Sequence, residues 1–332
     1  FAAAIVATAV TFNVALLAVF KYAYFVADWW PNSNIDLALQ TWRLDQWMLP
    51  IGLSFFTFQA ISYVVDVHRG TLEKPADLLS FATYLCFFPQ LVAGPIVRAK
   101  QFLPQLESES WVCARNEDKQ HIQRILNGFL KKVMLGDFIG AWIVDPVFAE
   151  PLAWSSAEIW IALYGYSLQV YADFSGYTDM AKGMAGLLGI KLPENFRLPY
   201  RATSPGDFWR RWHITLSSWW KDYVYIPMGG NRRFSGFSLA CVVLAWAAVI
   251  WQVDNVGVCL VVSRVGLLMA ATLLLYPEAN RRTANAVNVL LIMLMGGLWH
   301  GAHMNFIIWG GLNGLVLSTW ILLPSNSTTN SG

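Results

Sequence analysis

Long runs without a charged side chain constrain this chain more than any other feature. A helix that spans a bilayer needs about 20 predominantly apolar residues. Four such runs contain no Asp, Glu, Lys or Arg: 1–20, 46–65, 78–97 and 234–253. The final 50 residues, from 283 to 332, are also uncharged, and their ionisable side chains are His300 and His303. The sequence therefore predicts an all-α, polytopic membrane protein.

Composition agrees with that prediction. Of the 332 residues, 56% are hydrophobic and 13% are charged, whereas soluble domains carry about 25% charged residues. The formal net charge of +2 provides no overall cationic field, so nucleic acid is not an expected partner. The four cysteines include no C-x-x-C pair, and we expect neither a disulfide nor a metal site.

Two of the apolar segments contain helix-breaking residues. The run 78–97 ends in Phe-Phe-Pro-Gln-Leu-Val-Ala-Gly-Pro, and its prolines predict a kinked or re-entrant segment between Pro89 and Pro95. Such backbone must be covered by protein or line a wet cavity. In the last uncharged run, Gly296, Gly297 and Gly301 predict the close approach of another backbone or a ligand.

Basic loops predict the orientation. Seven Lys or Arg residues lie in 98–132 and eight lie in 191–233, so the positive-inside rule places both loops in the cytoplasm. The segment between them must then cross twice, as a hairpin near 133–148 and 157–175. A further transmembrane hairpin is expected at 234–277.

No internal repeat is visible, so one membrane-embedded domain over 1–332 is the simplest organisation. The chain starts with Phe1 rather than methionine and ends in a polar tail. We therefore expect a fragment that lacks N-terminal and C-terminal helices.

The segment after Ser204 predicts an amphipathic helix at the membrane interface. Ser204 suits the N-cap, Pro205 the first turn, and Asp207 the third position. One face carries apolar residues at helical spacing, namely Trp209, Trp212, Leu216, Trp219 and Tyr223. The other face carries the basic residues Arg210 and Lys221. The alternative is a solvated anchor with an Asp207–Arg211 ion pair. His213 borders the apolar face, where an imidazole needs a partner.

A histidine inside an uncharged membrane run is costly, so His300 is a candidate functional residue. Desolvation favours its neutral form, which is the form a general base requires. A buried histidine bonded to a neighbouring helix is the alternative. His303 shares the face at i+3, but this run holds no carboxylate or cysteine to complete a metal site.

A third polar cluster lies within 171–179, at the end of an apolar segment. Its residues Tyr171, Asp173, Tyr177 and Asp179 are too polar to face lipid. Two interpretations stay open, namely substrate binding and hydrogen bonding between helices.

Five motifs together resemble the membrane-bound O-acyltransferase family, and within it the branch that O-acetylates bacterial alginate. They are FFPQLVAGPIVR (87–98), YADFSGYTDMAKG (171–183), PENFRLPYRATSPGDFWRRWHITLS (193–217), DYVYIPMGGNR (222–232) and GGLWHGA (296–302). The resemblance implies a helical bundle with re-entrant segments and interfacial amphipathic helices around a central tunnel. It also implies acyl transfer from a thioester to a hydroxyl, with His300 catalytic and His213 the second catalytic position on the donor side.

For this branch the resemblance further implies a bacterial inner-membrane protein with no permanently bound cofactor. The donor would be cytoplasmic acetyl-CoA, and the acetyl group would pass to periplasmic acetyltransferase partner proteins acting on a polysaccharide. Arg210, Arg211 or Lys221 would bind the donor phosphates, and Trp209 and Trp212 would line its pantetheine arm. Four further candidates for substrate binding are Trp299 and Asn305, as oxyanion donors, and Asp173 and Tyr177.

Three alternatives stay open. D-alanyl transfer to teichoic acid and acetylation of another glycan such as cellulose belong to the same enzyme class. A polysaccharide export scaffold or transporter is a different class, in which the buried polar residues line a permeation path. The sequence shows no inverted repeat of the kind that many transporters have.

Overall fold

The structure, a computed structural model, describes residues 2–29, 52–72, 74–91, 93–107, 117–251, 264, 268, 271–272, 275–276 and 280–323. This described part is helical and contains no strand. Three of its helices are long and apolar enough to cross a membrane: Ala2–Ala23, Arg281–His300 and Met304–Leu322. The prediction of an all-α membrane protein is confirmed.

We number the α-helices along the chain. They are α1 Ala2–Trp29, α2 Leu53–His68, α3 Leu78–Cys86, α4 Phe88–Leu91, α5 Ala99–Glu107, α6 Asp118–Leu130, α7 Asp145–Ala149, α8 Ser156–Leu187, α9 Pro205–Arg211, α10 Ile214–Trp220, α11 Gly236–Trp251, α12 Arg281–His300 and α13 Met304–Leu322. Three π-helical segments interrupt this series, at Lys131–Asp137, Gly140–Val144 and Lys221–Tyr225.

The chain divides into two compact units. The first comprises Phe1–Phe20, Ala38–Pro199 and Arg211–Leu216. The second comprises Lys21–Leu37, Tyr200–Arg210 and Ser217–Gly332.

A helical hairpin forms much of the first unit. Helix α6 continues through two π-helical segments into α7, and the chain returns as α8, which starts with a capping box of Ser155 and Glu158. The two arms pack closely at Gly128 and Gly176, since a Cβ on Gly128 would lie 2.5 Å from the Gly176 carbonyl oxygen. Farther along, Gly140 packs against Gln169. A helical hairpin is therefore present between 133 and 175, whereas the candidate membrane-spanning helices of the described residues lie elsewhere, and its two membrane crossings stay a prediction.

The run 78–97 is broken, as its prolines predict. Helix α3 ends at Cys86, Phe87 is extended, and α4 is a single turn. The non-helical residues that follow are buried from Gly94 to Arg98. Tyr84, itself fully buried, donates its hydroxyl hydrogen to the Val97 carbonyl at 2.8 Å. Protein therefore covers this irregular segment, and its backbone groups find internal partners.

Helices α12 and α13 form a tightly packed pair in the second unit. A Cβ on Gly297 would overlap the Phe306 carbonyl oxygen and lie 3.0 Å from the Gly310 Cα. Gly301 is similarly close to the Phe306 ring. The prediction of close approach is confirmed at both glycines, whereas a Cβ on Gly296 would meet nothing within 4 Å.

We expect Gly297→Ala to lower the thermal unfolding temperature in detergent, because an added methyl group forces α12 and α13 apart. Overpacking of this kind costs about 1–3 kcal/mol. Gly296→Ala is the matched control, and it should leave stability unchanged or raise it by up to about 1 kcal/mol through helix propensity. Equal unfolding temperatures for the two variants would contradict the packing derived for Gly297.

The prediction of a single helix after Ser204 is wrong. Its start is as expected, because the Ser204 hydroxyl accepts the Asp207 N–H at 3.1 Å. However, α9 ends at Arg211, and His213 has a left-handed backbone with φ of 43°. Helix α10 then begins at Ile214. The break interrupts the continuous helical spacing on which the predicted single apolar face depends.

The additional hairpin expected at 234–277 is described only in part. Its first half forms helix α11, of 16 residues. The second half lies outside the described residues, apart from 264, 268, 271–272 and 275–276.

Candidate functional site

His300 is the last residue of α12, where the extended backbone of Gly301 ends the helix. Its imidazole contacts three aromatic rings, with centroid distances of 4.9 Å to Trp299, 5.2 Å to Trp309 and 6.4 Å to Phe306. Trp299 itself is buried, and His300 is exposed. The ring is thus held by aromatic contacts from α12 and α13, yet remains accessible to a ligand.

Two residues of α1 contact the end of α12. The Lys21 ammonium donates to the Trp299 carbonyl and lies 5.4 Å from the centroid of the Trp299 ring. The Tyr22 hydroxyl donates to the Leu298 carbonyl at 2.7 Å. The last carbonyls of a helix have no intrahelical partner, so these side chains fix the turn that carries His300.

The sequence does not reveal this contribution from α1. The available signal was the position of Lys21 directly after the uncharged run 1–20, because a cation buried near a membrane run needs an acceptor. The sequence did not indicate which helix end supplies that acceptor.

Trp209 belongs to the same aromatic cluster. Its ring meets Trp309 edge-on at a centroid distance of 5.9 Å, and Trp309 in turn contacts His300. The neighbouring Arg210 is largely exposed, and its guanidinium pairs with Asp207 at 3.5 Å. Lys221 is exposed at the start of a π-helical segment. Both cations are accessible to an anionic ligand.

His303 has a structural position at the start of α13. It is the N-cap residue, and its Nδ1 accepts the Asn305 N–H at 3.2 Å. Asn305 is exposed in the first turn, directly before Phe306. A ring nitrogen that accepts a backbone N–H is committed to capping.

His213 lies in the first unit, fully enclosed by its neighbours. Only 2% of its surface is exposed. The Phe174 ring meets the imidazole edge-to-face at a centroid distance of 4.6 Å and an angle of 89°. The Asn195 Oδ1 lies 3.1 Å from its Nδ1. The motif at 193–217 contains both residues, but a separation of 18 positions does not reveal this contact.

Two further donor-side candidates of the first unit, Trp212 and Arg211, contact the loop between α8 and α9. The Trp212 ring contacts Phe196 at 5.1 Å and Tyr171 at 6.1 Å. The Arg211 guanidinium lies 3.4 Å from the Arg197 carbonyl oxygen. Trp212 and Arg211 therefore belong to the first unit, whereas Trp209 and Arg210 belong to the second.

The carboxylates of the third polar cluster form ion pairs across the helical hairpin. Asp173 pairs with Lys132, and Asp179 pairs with Arg124 at 3.1 Å and with Lys131 at 2.6 Å. Tyr177 is half-buried on the same helix. This arrangement supports the interpretation that the two carboxylates join helices.

The ion-pair network continues to Glu194, in the loop after α8. Glu194 pairs with Lys182 and, at 3.1 Å, with Arg124. Burial raises the pKa of Glu194, whereas the two cations lower it, and the net pKa lies below its ordinary value. A carboxyl group whose pKa is lowered by folding stabilises the protein at pH values above its pKa in the unfolded chain. This stabilisation is lost as the pH falls through the pKa that the group has in the folded protein.

The structure brings the predicted residues into two clusters. His300, Trp299 and Trp209 share an aromatic cluster in the second unit, while His213 and Trp212 share a buried cluster in the first. The fold and these clusters define a polytopic helical membrane protein that carries a histidine at the end of an apolar helix, among aromatic side chains. Within that class, the chain belongs to the membrane-bound O-acyltransferase family, whose model matches residues 7–249. His213 lies within the matched residues, and His300 follows them.

Three relatives illustrate the similarity. The "Probable alginate O-acetylase AlgI" of Pseudomonas putida is 34% identical over 307 residues, which cover 92% of this chain and 53% of the relative. The "Peptidoglycan O-acetyltransferase" of Helicobacter pylori is 33% identical over 338 residues, covering 92% of this chain and 53% of the relative. The "Teichoic acid D-alanyltransferase" of Bacillus subtilis is 26% identical over 272 residues, covering 81% and 58%. The chain thus spans about half the length of the curated alginate relatives it matches.

Proposed function

We propose that this chain carries out acyl transfer in a membrane O-acetyltransferase that acetylates hydroxyl groups of an exopolysaccharide such as alginate. Family membership and the names of its relatives support the reaction class. The observation that carries the proposal is the position of His300, an accessible imidazole held by three aromatic rings at the end of an apolar helix.

In the proposed reaction, His300 acts as a general base. It removes the proton from the acceptor hydroxyl as the oxygen attacks the thioester carbonyl of acetyl-CoA. The carbon–sulfur bond then breaks, and the coenzyme A thiolate takes the proton from the imidazolium. General-base catalysis contributes about 10²- to 10⁴-fold, and positioning contributes more. Trp299 and Asn305 are proposed donors to the developing oxyanion.

The donor would enter from the cytoplasm, beside the basic loops 98–132 and 191–233. Phosphate binding is proposed for the exposed Arg210 and Lys221, and for Arg211. In the second unit, Trp209 offers apolar surface to the pantetheine arm. In the first unit, Trp212 is a proposed donor contact, and the buried His213 holds the segment that carries it. The acetyl group would leave through periplasmic partner proteins to the polysaccharide, with the chain in the bacterial inner membrane.

Labelled acetyl-CoA tests this function directly. Membranes that contain the full-length protein and its periplasmic partners would be incubated with the donor and with alginate, peptidoglycan, cellulose and teichoic acid in parallel. We expect label in alginate at a rate well above that of membranes without the protein. Label in another glycan would reassign the acceptor, and D-alanyl transfer would reassign the acyl group.

The export-scaffold alternative makes a different prediction. It requires polysaccharide flux across the membrane that needs no thioester and persists when His300 is replaced. Flux without acetylation would refute the acetyltransferase proposal.

A further inference from the structure

Two pairs of consecutive arginines lie where two helices of the second unit begin. Arg281 and Arg282 are the first two residues of α12, and Arg232 and Arg233 come shortly before the start of α11. All four are exposed. Within the described part of the chain, none of them forms an ion pair with a carboxylate. Their positive charges are therefore available to an anionic ligand.

Buried hydrogen bonds fix the turn that carries the first arginine pair. The side chain of Asn288, on α12, is fully buried. Its Nδ2 donates to the Gly230 carbonyl at 2.9 Å and to the Arg233 carbonyl at 3.1 Å. Its Oδ1 lies 2.8 Å from the hydroxyl oxygen of Ser238, a buried residue of α11. One amide thus joins the turn before α11 to both helices.

A direct contact joins the two arginine pairs. Arg281 Nε donates to the Asn231 carbonyl at 3.1 Å, so its guanidinium lies against the residue that precedes Arg232. In the same region, Phe234 and Ala284 are buried in one small hydrophobic cluster. The starts of α11 and α12 are therefore adjacent, and the two pairs lie beside each other. We call these four residues the arginine patch.

The arginine patch opposes the electrostatics of both helices. A helix N-terminus carries partial positive charge and N–H groups without intrahelical partners, so acidic and capping residues are favoured there. Neither helix has an acidic residue in its first turn. Helix α11 is capped, because Ser235 Oγ accepts the Ser238 N–H at 3.2 Å, whereas Asn280 gives α12 no side-chain cap. A bound anion would supply both the missing acceptor and the missing negative charge.

The position of the arginine patch indicates the kind of anion. Helix α12 is a candidate membrane span, and α11 lies in the uncharged run 234–253. Basic side chains at the end of such helices lie at the level of the lipid headgroups. The phosphate of a lipid headgroup offers charged oxygens that match the planar donor geometry of a guanidinium.

We propose that the arginine patch binds the phosphate of an anionic phospholipid headgroup, such as that of phosphatidylglycerol, where α11 and α12 begin. The headgroup oxygens accept hydrogen bonds from the guanidinium groups and from the first N–H groups of α12. The positive-inside bias accounts for cations near this end, but it requires neither an uncapped helix start nor the contact that holds Arg281 to the turn. The site is separate from the proposed acyl transfer, because none of its arginines is a proposed donor or acceptor contact.

Lipid affinity tests the site without catalysis. The full-length protein in uncharged detergent is titrated with phosphatidylglycerol, and binding is followed by native mass spectrometry. The double variant Arg281→Gln, Arg282→Gln should bind about 30-fold more weakly, since each arginine near a membrane surface contributes about fivefold. The matched control Lys119→Gln, Arg201→Gln removes two exposed cations elsewhere and should bind as the wild type does. Equal affinities for the two double variants would overturn the proposal, as would a wild type that does not bind the lipid.

Further arms identify the source of the phosphate. Phosphatidylcholine, which has a phosphate but no net negative charge, should bind much more weakly than phosphatidylglycerol. Coenzyme A and inorganic phosphate should not displace phosphatidylglycerol from the wild type. Displacement by coenzyme A would make the arginine patch a donor site and overturn the lipid assignment. Thermal unfolding in detergent shows that each variant is folded, and if the α12 variant is not, Arg232→Gln, Arg233→Gln replaces it and should show the same loss of lipid affinity.

Discussion

Replacing His300 with glutamine is expected to lower kcat for acetyl transfer by about 10²- to 10⁴-fold, the range typical of a lost general base. Glutamine keeps much of the size and hydrogen-bonding capacity of histidine, but it cannot take a proton at neutral pH. His300→Ala should show a similar loss. The measurement is the rate of label transfer from acetyl-CoA in membranes, divided by the amount of inserted protein.

His303 provides the matched control for this experiment. It is three residues from His300, and it caps α13 through Nδ1. Asparagine is a good N-cap residue, so His303→Asn should retain transfer within about twofold, because a conserved cap leaves stability nearly unchanged. Transfer at the wild-type rate in His300→Gln would refute the general-base role. An equal loss in His303→Asn would show that the turn, rather than the His300 imidazole, is required.

Replacing His213 with glutamine should lower kcat/KM for acetyl-CoA by about 10- to 100-fold, because the buried imidazole that packs on Phe174 and holds the proposed donor-side segment is lost. The loss should appear mainly in KM, since this segment is proposed to bind the donor rather than the acceptor hydroxyl. Glutamine can still donate an N–H to Asn195 Oδ1, so the buried network keeps a partner. Steady-state kinetics with varied acetyl-CoA give this result directly.

Two controls accompany the His213 variant. His68→Gln changes an exposed histidine in the last turn of α2, and it should leave both kinetic constants unchanged. Thermal unfolding of His213→Gln shows whether the buried site still folds. An unchanged KM in a folded variant would exclude His213 from donor binding.

Much of the fold was predictable because hydrophobicity and helix-breaking residues act locally. The uncharged run 283–332 predicted the apolar segments that form α12 and α13, and the prolines after Cys86 predicted the break in 78–97. Close packing at Gly297 was also predictable, because a residue without a Cβ permits close backbone approach. The open space beside Gly296 was not predictable, because the glycine that faces α13 is set by how α12 is rotated against α13.

The sequence indicated the two histidines of the candidate site, whose roles stay predictions, but it did not indicate their surroundings. The motifs that contain His300 and His213 identified both as candidates. Their contacts come from distant segments: Lys21 reaches the end of α12 from α1, and Asn195 reaches His213 from the loop after α8. Periodicity also favoured one helix through His213, whereas the structure ends α9 before it.

The sequence by itself determined that this is a helical membrane protein of the membrane-bound O-acyltransferase family, because apolar length and family motifs are properties of contiguous residues. Tertiary structure decided how the two histidines are held. The orientation and tautomer of an imidazole depend on which polar atom faces each ring nitrogen. At His213 that atom belongs to Asn195, which only the folded chain brings within hydrogen-bonding distance.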